Sequence, residues 1–358
     1  MLISTATREY ERWVGGQIPL VREQLTAKHK EMEQARLEFL RATCYRWAQI
    51  WPEVCPRLAG AISVLAVGDL HVASYGTWRD GFGRLVWGVD DFDESYEIPY
   101  PSDLVRLATS AVIDGSESGL SMGLREICEE ILSGYKAGLE SGGRTFVLEE
   151  GHKWLRAIAL KRLDVPAAFW KKLDALPPAR KDIPAGARKA LEKMLPQPSP
   201  SYRVVRRTAG TGSLGHPRYV AIADWEGGQI ALEAKEAARS CFGWAASARA
   251  AGISYQKILE HAIRSPDPFV RMESGWLVRR LAPDSSPIEI ESLGKSKDVD
   301  RLLHAMGWEA ANIHLGSPAA RGILADLRKR PAPWFRSAVR DMIKAVTSDW
   351  KDWKKTRR

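Results

Sequence analysis

Residues 68–94 read "GDLHVASYGTWRDGFGRLVWGVDDFDE", five Asp, one Glu and one His gathered around two strand-like runs. Alternation over Tyr75–Arg79 and Arg84–Val89, joined by "DGFG", predicts a β-hairpin. Such a hairpin returns Asp69, which precedes it, to the end where Asp91 and Asp93 follow it. Carboxylates placed this way suit two jobs: holding magnesium on a triphosphate, and accepting a proton from an attacking hydroxyl. The same acids also make turns and cap helices, so a second cluster has to decide between chemistry and scaffolding.

That cluster is "GTGSLG", Gly210 to Gly215, which fits G-x-G-x-x-G. A dinucleotide-binding fingerprint needs a helix to begin inside the motif, whereas Pro217 and the alternating "RYVAIA" predict a strand. The loop then joins two antiparallel strands. Missing side chains at Gly210, Gly212 and Gly215, with Ser213 between them, would let backbone N–H groups approach nucleotide phosphates. A third strand, "QIALEAK", carries Lys235 toward the same phosphates.

The surroundings are those of an ordinary globular chain of 358 residues, 45% hydrophobic and 27% charged. The longest apolar run, "AGAISVLAVG", is far below the roughly 20 residues of a membrane span, and the N-terminus lacks a signal-peptide layout. We therefore expect a cytoplasmic protein with no transmembrane segment. Cys44, Cys55, Cys128 and Cys241 are widely spaced with no C-x-x-C pair, which predicts buried reduced thiols. From Arg328 to Arg358 eleven Lys and Arg stand against three Asp, nearly all of the net charge of +9. Phe335, Val339, Met342, Ile343, Val346, Trp350 and Trp353 recur there at steps of three and four, so this end reads as an amphipathic helix. Its basic face is either solvated or offered to an anionic partner.

Helix is expected over residues 5–50, broken near Gly15, Gly16 and Pro19, and again from Pro101 to about Glu140. The Pro-rich stretch Leu173–Ser201 reads as a boundary. Strands "YRVVRRT", "RYVAIAD" and "QIALEAK" follow, then a helix near Tyr255–Ile263, strands in "FVRM" and "GWLVRRLA", and helix to the end. The chain thus divides into a helical segment (1–66), the catalytic-loop hairpin with its helices (67–200), a small antiparallel lobe (201–283) and a helical return with the basic helix (284–358).

Together the clusters resemble protein-kinase-like phosphotransferases, particularly the aminoglycoside and choline kinase branch. There a "GD-x-H-x-x-N" loop, a hairpin, an "x-D-F/W" metal motif and a "D-L-A" helix start follow one another; here they read "GDLHVAS", the hairpin, "DDFDE" and "SDLVRLA". More closely, residues 28–112 and 202–240 are similar to the uncharacterised bacterial domain-of-unknown-function family 2252, through "DFDE", "DL-x-RLA" and a glycine loop followed by "KEA". The resemblance implies an α+β, two-lobed protein-kinase-like fold. Since the catalytic loop precedes the glycine loop, it also implies a circular permutation, which compact domains with neighbouring termini tolerate.

Carried over, it makes Asp69 the catalytic base and His71 a loop-ordering residue, with Asp91 the main Mg2+ ligand and Asp93 an auxiliary acid. Gly210, Gly212, Ser213 and Gly215 form the flap, and Lys235 binds the phosphates of ATP. Glu260, in "QKILEHAI", is the expected acidic partner of the lysine by spacing, while Glu233 and Glu236 fit a surface reading equally. Asp103 is assigned to its own helix cap. Ser74 stands where related loops have a metal-binding Asn and is carried over with Asp91 and Asp93 to the metal site, although a hydroxyl ligates magnesium less often. Three functions follow: an ATP-dependent phosphotransferase acting on an unknown small-molecule or protein hydroxyl, a nucleotide-binding pseudokinase-like scaffold without turnover, or a metallohydrolase on Asp69, His71, Asp91 and Asp93. The other six histidines are scattered, which speaks against the third.

Overall fold

The helical periodicity of the first fifty residues resolves into α1 (Ile3–Gly15), α2 (Arg22–Gln34), α3 (Arg36–Ala42) and α4 (Cys44–Val54), with the expected interruption around Gly16 and Pro19, followed by the short α5 (Pro56–Ala59). The computed structural model describes residues 1–119, 122–149, 151–163, 165–179, 183–248, 252–285 and 297–356.

Strand β1 (Ser63–Ala66) pairs antiparallel with β4 (Tyr96–Pro99), and everything between them is extruded from that pair. The extruded piece contains the hairpin of β2 (Tyr75–Arg79) and β3 (Leu85–Val89), with Tyr75 opposite Val89. Its turn is built by Asp80, whose Oδ1 accepts from the amides of Phe82 (2.9 Å) and Arg84 (3.0 Å), so this acid is structural. With both ends of the extrusion tied by the β1–β4 pair, Asp69 and residues 90–94 must emerge side by side. The stretch expected as one long helix is two, α6 (Pro101–Ser118) and α7 (Leu124–Ser141), because Gly119 takes the left-handed conformation (φ 76°) that ends α6. Beyond α7, β5 (Phe146–Val147) adds a third strand to the hairpin.

After α8 (Lys153–Arg162), α9 (Pro166–Asp174) and α10 (Ala185–Glu192) come β6 (Tyr202–Arg206), β7 (Arg218–Trp225) and β8 (Gly228–Glu236). Helices α11 (Cys241–Ala245) and α12 (Tyr255–His261) then lead to β9 (Arg271–Glu273) and β10 (Trp276–Leu281). These strands form one antiparallel sheet in the order β6-β7-β8-β10-β9. Six consecutive residues of β7 are buried because both faces of the sheet are covered. Ala187, Ala190 and Leu191 of α10 pack with Tyr219 and Trp276, while Leu173 of α9 packs with Val205, Val220 and Ile222. The Pro-rich stretch read as a boundary is therefore part of the sheet's covering. Its Ala187, Ala190 and Leu191 make the short apolar face that its prolines disguise.

Helices α13 (Lys297–His314), α14 (Ile323–Lys329) and α15 (Trp334–Lys355) complete an α+β fold. In α15 Phe335, Val339, Met342, Val346 and Trp353 are buried, while Arg340, Lys344, Lys351 and Lys355 are exposed. Arg357 and Arg358 of the basic end, and residues 286–296 of the helical return, lie outside the described residues. Among the described residues no helix is long and apolar enough to cross a membrane.

Candidate active-site cleft

The loop between β1 and β2 is fixed from below by Asp103 on α6. One carboxylate oxygen accepts from the amide of Val67 (2.8 Å) and the other from that of Gly68 (2.9 Å). His314 of α13 stands 3.1 Å from the same group, and because a carboxylate only accepts, its Nε2 donates. Tyr135 in turn is bonded to His314 Nδ1 at 2.8 Å. Asp103 makes no cap on its own helix, which begins at Pro101 without a side-chain cap. Its expected role is thus corrected: it is fully buried and anchors the loop. Gly68 has φ 82°, and a Cβ there would lie 2.2 Å from the carbonyl oxygen of Glu94, so only glycine lets the start and end of the extruded segment touch.

Within the loop, Ser74 Oγ accepts from the amide of His71 (3.0 Å) and donates to the carbonyl of Asp69 (3.1 Å). The hydroxyl that stands where related loops have Asn thus closes the loop. His71 Nδ1 accepts from the amide of Ala73 (3.2 Å), which puts the ring proton on Nε2, 4.0 Å from Asp69 Oδ2. Burial, with Arg41 and Arg106 nearby, holds the His71 pKa well below its ordinary value, so the ring is neutral at pH 7.

Asp69 Oδ1 is gripped by Arg106 through Nε (2.7 Å) and Nη2. Arg106 also donates to the carbonyl of Leu40 (2.8 Å), lies over the Trp47 ring at 5.1 Å and is 1% exposed. Burial raises the Asp69 pKa even against that cation. Sequence reasoning did not single out Arg106, although "SDLVRLA" places it three residues after Asp103, on one face of α6.

Asp91 is exposed, and its Oδ1 accepts from the amide of Asp93 (3.1 Å). Asp93 forms an ion pair with Lys235, which is buried on β8. Glu260, the expected partner of that lysine, is exposed on α12 and accepts from Gln256. Spacing alone could not reveal that the lysine turns across the cleft rather than toward a helix. Glu233, on the same face of β8, is fully buried and bonded by Arg207 (2.6 Å), Arg218 (3.0 Å) and Arg279 (2.9 Å). Its burial favours the neutral acid, but the three guanidiniums hold its pKa well below the ordinary range.

Arg218 also donates to Ser213 Oγ, which ties the flap to this buried network. The flap is itself a tight turn, in which the Ser213 amide bonds Gly210 O and the His216 amide bonds Ser213 O, both at 3.1 Å. Two amides that could have faced phosphate are thus used internally. From the other side α2 clamps the flap: Lys28 Nζ donates to Gly212 O (2.6 Å), and Gly215 bonds the amide of Val21 (2.9 Å) and the side chain of Gln24 (3.2 Å). Burial lowers the Lys28 pKa.

Both clusters meet in one cavity, lined by Asp69, Asp91, Asp93, Gly212, Ser213 and Lys28. A Cβ on Gly212 would be 3.5 Å from Asp69 Oδ2. The enclosed volume is about 50 Å³, so the flap is closed onto the acids. Among the described residues the three aspartates do not bring their oxygens within 4.8 Å of one another as a trio.

An α+β protein with an acid-lined cleft under a glycine flap is the class that fold and site define. The chain belongs to the family described as "Uncharacterized protein conserved in bacteria (DUF2252)", which matches residues 20–168 and 180–356. No curated protein and no solved structure matches it.

Proposed function

We propose that this cleft transfers a phosphoryl group from ATP to a hydroxyl acceptor, in a two-lobed, protein-kinase-like arrangement whose halves are permuted in the chain. The observation that carries the reading is the shared cavity: Asp69, Asp91 and Asp93 face Gly212 and Ser213, more than a hundred residues away in sequence. Phosphoryl transfer asks mainly for positioning and charge neutralisation, and the parts are of the right kinds. Asp91 and Asp93 offer hard carboxylate oxygens suited to Mg2+, which would neutralise charge on the triphosphate. Lys235 exchanges its partner Asp93 for phosphate oxygens. Asp69, held through Oδ1 by Arg106, keeps Oδ2 toward the cleft to accept the acceptor's proton. Entry of a nucleotide requires the flap to lift away from Lys28 and Gln24.

A second reading, a nucleotide-binding scaffold without turnover, is favoured by Ser74, whose hydroxyl closes the loop in place of a metal-binding amide. Magnesium-dependent ATP binding measured beside ADP release separates the two. Asp91→Ala is expected to lower ADP release by at least about 100-fold while leaving the fold intact. Full release by that variant would refute the metal assignment, and binding without release in the parent would establish the scaffold.

A further inference from the structure

Beside the cleft, three side chains with no part in that reaction converge: Cys44 at the start of α4, Cys241 at the start of α11, and Glu94 at the end of the acidic run. Their Sγ and carboxylate oxygen atoms all lie within 4.8 Å of one another. Both cysteines are free thiols, 5% and 0% exposed, while Glu94 is half-buried. The two sulfurs and the carboxylate oxygen thus face a common centre. Glu94 is oriented from outside, its carboxylate accepting from the Cys241 amide at 2.6 Å and from Tyr10 Oη at 3.4 Å.

We propose that Cys44, Cys241 and Glu94 form a binding site for a thiophilic divalent cation, of which Zn2+ is the best match. Two thiolates and a carboxylate are a borderline-soft donor set, unsuited to magnesium and suited to zinc. Zn–S bonds of about 2.3 Å in a tetrahedral site place two sulfurs roughly 3.8 Å apart, so small side-chain movements complete the coordination. Cys44 and Glu94 both line the cleft, which gives the ion a way in and leaves its fourth position open to water or an anionic ligand. The site joins the helical wall that carries Arg41 to the segment just beyond Lys235. A bound ion there fastens the sheet's exit to the N-terminal helices. Burial raises the pKa of both thiols, and a metal binds them as thiolates, displacing their protons.

The test is titration of the full-length protein, kept reduced with a phosphine, with Co2+ and then Zn2+. A sulfur-to-cobalt charge-transfer band is expected to saturate at one equivalent, to disappear on adding Zn2+, and to be lost in Cys44→Ser and in Cys241→Ser. Glu94→Gln should keep the band with weaker affinity. No band in the parent protein overturns the site whether or not the variants fold, as does an unchanged band in both serine variants. Asp91→Ala should leave the band intact, so this outcome and that of the phosphoryl-transfer reading are read independently.

Discussion

Asp103 serves two consecutive amides and a buried histidine with one carboxylate. Asp103→Ala leaves those amides without their acceptor and is expected to cost about 3 kcal/mol. Chemical denaturation checks this, and a loss below about 1 kcal/mol would refute the anchoring role. Glu309, 2% exposed on α13, lies beside the hairpin, with Val89 N 3.3 Å from Oε1 and Asn312 Nδ2 2.7 Å from Oε2. Burial, only partly offset by these bonds and by Arg264, raises its pKa from 4.5 to about 7. A carboxyl with a raised folded-state pKa binds more protons folded than unfolded. Its contribution is therefore full below pH 4.5 and lost as pH climbs through about 7, a fall of about 3 kcal/mol. Glu309→Gln should remove that component from the pH dependence of stability, and identical slopes for the two proteins would contradict it. Residues named by a motif were legible in the sequence: Asp69, Asp91 and Gly212 reach the cleft, and Lys235 reaches Asp93. Arg106 and Glu233 were not, because their importance comes from partners on other elements, and Asp103 was legible as an acid but not as an anchor.

Elements announced by a clear period came through within a residue or two, the hairpin of β2 and β3 and the strands β6 to β8 above all. Those hidden by composition did not. Helix α10 is only eight residues long and flanked by prolines, and β1 and β4 are four residues each, too short for periodicity to show. The contact between α2 and the flap was also invisible, since it joins residues more than 180 apart through a lysine and a carbonyl. It has a measurable consequence. Lys28→Met removes a charge-assisted bond worth about 1.5 kcal/mol and should raise amide hydrogen exchange across residues 210–216 about tenfold. Unchanged exchange there would show that α2 does not hold the flap closed.

At the scale of the whole molecule, the β1–β4 pair and the five-stranded sheet are separate constructions that present their working residues to one cavity. The sequence carried both halves of that cavity as motifs but not the strap across it, so the closed state, with about 50 Å³ inside, could not be foreseen. Residues brought together from α1, α2, α3, α4 and α12 around the acids come from segments with no motif of their own. What they enclose is the question that decides the function. Calorimetric titration of ATP into the protein, with and without Mg2+, addresses it most directly. The expected result is binding that requires magnesium and weakens by about tenfold or more in Lys235→Met. Absence of binding at millimolar ATP with magnesium present, or equal affinity in Lys235→Met, would contradict a nucleotide held between flap and acids.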